Sequence, residues 1–76
     1  MLIEVKTLTG KNIVIHIKAT DSVLTIKEAV EEIEGIPPKQ QRFVAYGRIL
    51  TDFQTAEDCF LTEGSVIHLV LQIRGS

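Results

Sequence analysis

The stretch TDSVLTIKEAVEEIEG, residues 20–35, decides the fold because its apolar residues follow the period of a helix. They recur at spacings of three and four and define one apolar stripe, formed by Val23, Ile26, Val30 and Ile33. Ser22 or Asp21 is a suitable N-cap, and Gly35 stands where a left-handed residue ends many helices. The sequence IPP comes next, and proline cannot continue a helix because it lacks an amide proton. The stretch therefore predicts one amphipathic helix.

The chain before this helix alternates with a period of two. MLIEVKT and NIVIHIK each place apolar residues on one face, and the LTGK between them supplies a turn at Gly10. This pattern predicts an antiparallel hairpin with one buried face. After the helix, QRFVAYG, RIL and SVIHLVLQI are typical of further strands, and TAEDC of a helical turn.

The order of hairpin, helix and further strands indicates the fold class. One amphipathic helix packed across a single mixed sheet of about five strands buries both apolar surfaces, which makes an α+β roll. A chain of 76 residues forms one domain. We expect that domain to span residues 1–72 and residues 73–76 to form a flexible C-terminal tail.

The composition excludes several classes of function. The chain is 45% hydrophobic and 24% charged, as in ordinary soluble proteins, and its net charge of −2 gives no basic surface for nucleic acid or an anionic membrane. No apolar run approaches the ~18 residues of a membrane span. Glu4 and Lys6 interrupt the first apolar residues, so we expect no signal peptide. We expect a monomer that binds neither nucleic acid nor membrane.

The single cysteine, Cys59, is not expected to act as a catalytic nucleophile. It cannot form an internal disulfide, and no Cys/His spacing resembles a zinc site, so a reducing compartment, the cytoplasm or nucleus, is expected. A nucleophilic cysteine needs a nearby base, but His16 and His68 lie on predicted strands whose outward faces need not meet it. The sequence shows no phosphate-binding loop, carboxylate pair or metal cluster. We therefore predict no catalysis, no cofactor and no metal, with Cys59 half-buried under a loop.

Several segments identify a family. VKTLTGK, EGIPPKQQR and HLVLQIRG closely resemble the matching segments of ubiquitin, and the similarity covers the chain without gaps. The resemblance implies the β-grasp fold. The segments MLI, IKE, VEE, TAED and GSVIHLVL are more similar to the cullin-directed modifiers of the Nedd/Rub type. That resemblance implies conjugation through the C-terminus to lysines of cullin-like target proteins. It also implies activating and conjugating enzymes of the Nedd/Rub type, and deconjugating proteases, as partners.

Position 72 favours the Nedd/Rub type within this family. Ubiquitin carries an arginine there, which helps activating enzymes distinguish the two modifiers. Gln72 is neutral, as the Nedd/Rub type implies. Since a buried or repelled charge costs several kcal/mol, one arginine is an effective discriminator.

The lysines argue against the usual ubiquitin chains. Arg48 and Glu63 stand where ubiquitin has its most used acceptor lysines, and an arginine cannot form an isopeptide bond because it stays protonated. Lys6 and Lys11 remain as possible acceptors. The resemblance implies that Lys27, beside the apolar stripe of the helix, pairs with Asp52 instead.

The resemblance also implies a surface by which partners recognise the modifier. We name it the binding patch, and its residues are Leu8, Val44, Gly47, His68 and Val70. A cluster of exposed apolar residues on a small domain usually marks an interaction site. The alternative is that Val44 and Val70 are merely β-branched residues favoured in strands. A second patch is predicted from Ile36, Leu71 and Ile73, unless Leu71 completes the core.

Position 59 and the chain's last residues depart from the family. Related modifiers often have a tyrosine where this chain has Cys59, so we expect a looser loop there, at a cost of ~1 kcal/mol. Arg74 and Gly75 match a tail that threads through narrow enzyme channels, but Ser76 replaces the second glycine. Ser76 is either an engineered block, a native feature of a divergent modifier, or a sign that the natural end differs in another way. A non-conjugated binding module is therefore the alternative function.

Overall fold

The computed structural model describes residues 1–72, which form five strands and one α-helix. In chain order the elements are β1 (Leu2–Thr7), β2 (Asn12–His16), α1 (Val23–Glu34), a 3₁₀ turn (Pro38–Gln40), β3 (Gln41–Ala45), β4 (Arg48–Ile49) and β5 (Val66–Leu71). The strands form one sheet in the order β2-β1-β5-β3-β4. β1 and β5 are parallel and the other neighbours antiparallel. The predicted α+β roll with a mixed five-stranded sheet is confirmed.

Helix α1 has the ends that its sequence predicts. Of the two candidate N-caps, Ser22 is the one used, because its hydroxyl accepts a hydrogen bond from Thr25 N at 3.2 Å. Gly35 ends the helix with φ at 74° and donates its N–H to the carbonyl of Glu31. A left-handed residue costs glycine little because it has no Cβ. The 12 residues of α1 fall short of what a membrane-spanning helix needs, and no other helix among residues 1–72 meets that requirement.

The core lies between α1 and one face of the sheet. Its fully buried side chains include Ile3, Val5, Val23, Ile26, Val30, Phe43 and Ile67. The prediction that Ile33 completes the helical stripe is wrong, because this side chain is 55% exposed. Spacing identifies the apolar face of a helix but does not show how far along that face the sheet extends. Lys27 is buried on the helix instead.

Two buried polar side chains fasten α1 to the rest of the domain. Lys27 Nζ donates to Asp52 Oδ1 at 2.5 Å and lies 6.0 Å from the centre of the Phe43 ring. This is the ion pair that the family resemblance implied. Gln41 Nε2 donates to the carbonyls of Lys27 and Ile36, both at 2.8 Å. A backbone carbonyl that is removed from water needs a hydrogen-bond donor, and the side-chain amide of Gln41 serves both of these carbonyls.

Candidate partner-binding surface

The strand register assembles one apolar and basic row on the outer face of the sheet. His68 on β5 pairs with Lys6 on one side and with Val44 on the other, and Val44 in turn pairs with Ile49 on β4. Residues directly opposite each other project from the same face of a sheet. The row therefore brings Val44 and His68 of the binding patch side by side, although they are 24 positions apart in the sequence.

The remaining residues of the binding patch lie around this row. Val70 pairs with Arg42 two register positions away, on the same face of the sheet, and both Val44 and Val70 are half-buried while His68 is exposed. Gly47, with φ at 75°, forms with Tyr46, at 53°, the two-residue turn that joins β3 to β4. Positive φ at both positions is characteristic of a tight hairpin turn whose twist matches its strands.

Leu8 belongs to a groove that also contains the predicted second patch. Leu8 is 81% exposed on the β1–β2 turn. It lines a groove of about 420 Å³ together with Ile36, Leu69 and Leu71, and the Lys11–Glu34 ion pair lies on the same lining. Leu71 is 48% exposed, so the alternative that it completes the core is wrong. Ile73, the third predicted member, lies outside the described residues.

The lysines differ in their availability for conjugation. Lys6 is exposed on the row described above. Lys11 is also exposed, and its amine lies 2.9 Å from a carboxylate oxygen of Glu34. An exposed pair of this kind is weak, so it would not withhold the amine from a reaction. Lys27 is buried in the ion pair with Asp52.

Gln72 is held against the sheet at the end of the described chain. Its Oε1 accepts a hydrogen bond from Arg42 Nη2 at 3.0 Å, and its N–H donates to the carbonyl of Gln40 at 2.7 Å. Both side chains in the first bond are exposed, so they are accessible to a partner. The predicted tail residues Arg74, Gly75 and Ser76 lie outside the described residues.

Cys59 occupies an environment unlike that of a nucleophile. The side chain is buried, and burial, with a smaller effect of the Asp58 charge, raises the pKa of its thiol. A raised pKa reduces the thiolate that would have to react. Its Sγ lies 3.7 Å from Gln54 Oε1, which also accepts the backbone N–H of Thr51 at 3.0 Å. The loop therefore has a side-chain anchor although position 59 carries no tyrosine.

The family follows from comparison with known proteins. Residues 3–74 match the model of the ubiquitin family. The chain belongs to the ubiquitin family. Over 75 residues, or 99% of its length, it is 56% identical to Ubiquitin-like protein 1 of Schizosaccharomyces pombe and covers 96% of that protein. It is 51% identical to NEDD8-like protein RUB1 of Saccharomyces cerevisiae and 55% to Ubiquitin-like protein NEDD8 of Dictyostelium discoideum, covering 97% of each. It is a ubiquitin-like modifier of the Nedd/Rub type, as the sequence predicted.

Sequence reasoning missed one residue on the exposed sheet face of this ubiquitin-family protein. Ile49 is 58% exposed and lies directly opposite Val44. Its strand has only two residues, Arg48 and Ile49, which is too short for alternation to reveal a face. The sequence feature that could have placed Ile49 on this face is the Tyr46-Gly47 turn, because a two-residue hairpin turn fixes which residues pair across it. Among residues 1–72, no cluster of metal-ligating side chains accompanies this surface.

Proposed function

We propose that this modifier is conjugated through its C-terminus to lysines of target proteins, the scaffolds of cullin-type ubiquitin ligases among them. Its partners on that route are activating and conjugating enzymes of the Nedd/Rub type, and deconjugating proteases that release it. The observation that supports this proposal is the neutral Gln72, exposed and bonded to Arg42 at the end of the described chain. A neutral residue there suits an activating enzyme that rejects an arginine.

The chemistry of conjugation belongs to the partner enzymes. The terminal carboxylate is first adenylated at the expense of ATP, with release of pyrophosphate. A cysteine of the activating enzyme then displaces AMP and forms a thioester, which passes to a cysteine of the conjugating enzyme and finally to a lysine amine. The modifier contributes Arg74 and Gly75, and the glycine suits a narrow channel because it has no Cβ. Residues 1–72 serve as the docking body, and residues 73–76 as the segment that the enzymes act on.

Recognition of the attached modifier uses the binding patch. Val44, His68 and Val70 present apolar area and an imidazole on one sheet face, and such clusters on small domains mark interaction sites. The groove that contains Leu8, Ile36 and Leu71 gives partners a second apolar contact. We place this activity in the cytoplasm and nucleus, the reducing compartments that suit a chain with one unpaired cysteine.

A second candidate function follows from Ser76, which stands where the family implies a glycine. A hydroxymethyl group on the acyl residue would obstruct the narrowest part of an enzyme channel. In that case the protein is a non-conjugated binding module that acts only through its surface.

The experiment that separates these functions is a thioester assay. The chain is incubated with ATP, a Nedd/Rub-type activating enzyme and its conjugating enzyme, and the products are separated with and without dithiothreitol. A dithiothreitol-sensitive adduct that requires ATP supports conjugation; the ATP requirement excludes a disulfide through Cys59. An adduct formed only by Ser76→Gly shows that Ser76 blocks a conjugatable protein. If neither chain forms an adduct, conjugation is excluded and the binding module stands.

A further inference from the structure

A pocket that adjoins the binding patch opens beside the edge strand β4. It has a volume of about 320 Å³ and lies between the β3–β4 hairpin and the segment of residues 54–60. Its lining is largely apolar and includes Ala45, Ile49, Leu50, Cys59 and Phe60. Pockets of this size with mainly apolar walls are typical of ligand sites, and an apolar cavity of ~150 Å³ suffices for benzene.

The lining of the pocket combines a small buried side chain with exposed aromatic ones. Cys59 is buried and belongs to the lining, and its side chain is smaller than the tyrosine that related modifiers often carry at this position. Phe60 lines the pocket and is 69% exposed, so its ring does not belong to the core. Tyr46 is another exposed aromatic side chain of the lining. Aromatic walls favour an aromatic guest, since rings stack or meet edge to face.

The polar groups of the lining complement a peptide backbone. Arg48 and Asp58 both line the pocket, and neither has an ion-pair partner among residues 1–72. One carboxylate oxygen of Asp58, Oδ2, accepts the N–H of Thr55, and the other is left to accept a second donor. A residue within a peptide carries a donor N–H and an acceptor C=O on either side of its side chain. A cation and an anion beside one apolar pocket match that pair of groups.

We propose that this pocket receives the phenyl ring of a phenylalanine in a peptide segment of a partner protein, with Arg48 and Asp58 bonded to the flanking backbone. Ile49 lines the pocket and pairs with Val44, so the pocket continues the surface of the binding patch. The choice of a protein segment as occupant therefore rests on the proposed role of the patch. The affinity of the pocket for a phenyl ring does not depend on the role of the patch.

The test is a titration of the isotope-labelled full chain with N-acetyl-phenylalaninamide, followed by NMR amide shifts. We expect saturable changes, in the millimolar range of so small a ligand, centred on Ile49, Cys59 and Phe60. N-acetyl-alaninamide is the matched control and should cause no saturable change there. The proposal would be overturned by amide shift changes confined to residues outside the pocket, or by equal changes on addition of N-acetyl-alaninamide.

Two variants locate the site. Cys59→Tyr fills the pocket and should weaken binding by about tenfold or more. If that variant does not fold, Phe60→Ala removes an exposed wall without touching the core and should weaken binding severalfold. Undiminished binding by either folded variant would contradict the proposed site. Val44 belongs to the binding patch and does not line the pocket, so Val44→Ala should leave the titration unchanged. A failure of the patch proposal and a failure of the pocket proposal therefore remain distinguishable.

Discussion

Arg42 Nη2 donates a hydrogen bond to Oε1 of Gln72 at 3.0 Å. The contact links β3 to the residue that follows β5, at the point where the described chain ends. A guanidinium has only donors, so its partner at position 72 must be an acceptor or at least neutral. Position 72, the proposed selector for the activating enzyme, is thus coupled to a cation on the modifier itself.

The first prediction concerns this coupling. Gln72→Arg places two guanidinium groups side by side, which repel each other and change the charge offered to an activating enzyme. We expect thioester formation with a Nedd/Rub-type activating enzyme to fall by about tenfold or more, a loss of roughly 1.4 kcal/mol in the transition state. Gln72→Ala is the neutral control and should retain most activity. Equal rates for the Gln72→Arg variant and the parent would refute the selector role. All of the compared chains carry Ser76→Gly, so that any effect of Ser76 on conjugation is the same in each.

The second prediction compares the two ion pairs. Lys27→Met removes the buried ammonium and leaves Asp52 without its partner, so the free energy of unfolding should fall by about 1–3 kcal/mol. Lys11→Met breaks the exposed pair with Glu34 and should cost less than about 1 kcal/mol. Urea denaturation of both variants measures the difference. A Lys11 variant as destabilised as the Lys27 variant would contradict the importance assigned to burial.

The third prediction concerns the pH dependence that Cys59 causes. Burial raises the pKa of its thiol in the folded state, so the unfolded chain loses that proton at lower pH than the folded one. Above the unfolded pKa the folded state binds more protons, and stability therefore decreases as pH rises toward the folded pKa. Cys59→Ala should lack this decrease. Denaturation at a series of alkaline pH values measures it, and parallel pH profiles for the two proteins would show that the thiol is not responsible.

The same shift governs the reactivity of the thiol. Iodoacetamide should modify Cys59 more slowly in the native protein than in urea at the same pH, because alkylation requires the thiolate and access to it. Mass spectrometry of quenched samples gives both rates. Equally fast native modification would mean that the side chain is not buried in solution.

The fourth prediction concerns the binding patch. Val44→Ala or His68→Ala should weaken binding of a patch-reading partner by ~1–2 kcal/mol and leave the fold intact. Ile33→Ala is the control, since it removes an exposed aliphatic group from the helix, outside the binding patch. Calorimetry with the partner measures the loss. If Leu8, Val44, His68 and Val70 keep their chemical shifts when the partner is added, the patch is not where the partner binds.

Periodicity and capping residues predicted most of the architecture. The helix from Ser22 to Gly35 could be recognised because its cap residues and its apolar spacing are local properties of the chain. The exposure of Ile33 and Leu71 could not be predicted, since both lie on apolar faces that extend beyond the element that would cover them. Whether such a side chain is exposed depends on where the segments that pack over that face end.

The candidate surface was only partly accessible to sequence reasoning. Alternation showed that His68 and Val70 share a face, but the pairing of His68 with Val44 depends on long-range register. The pocket beside Cys59 could not be predicted either. It exists because the β3–β4 hairpin and the segment of residues 54–60 pack against each other, and no periodic pattern of the sequence encodes the volume between them.

The position of β5 has a consequence for biosynthesis. β5, the last strand among residues 1–72, lies at the centre of the sheet, where it separates β1 from β3 and bonds to both. A nascent chain that stops short of residue 66 therefore has two half-sheets with nothing to join them, and long-range pairing of this kind is slow to form. We expect the domain to fold only after its final strand has left the ribosome, so that a protease would find every shorter nascent chain open to cleavage.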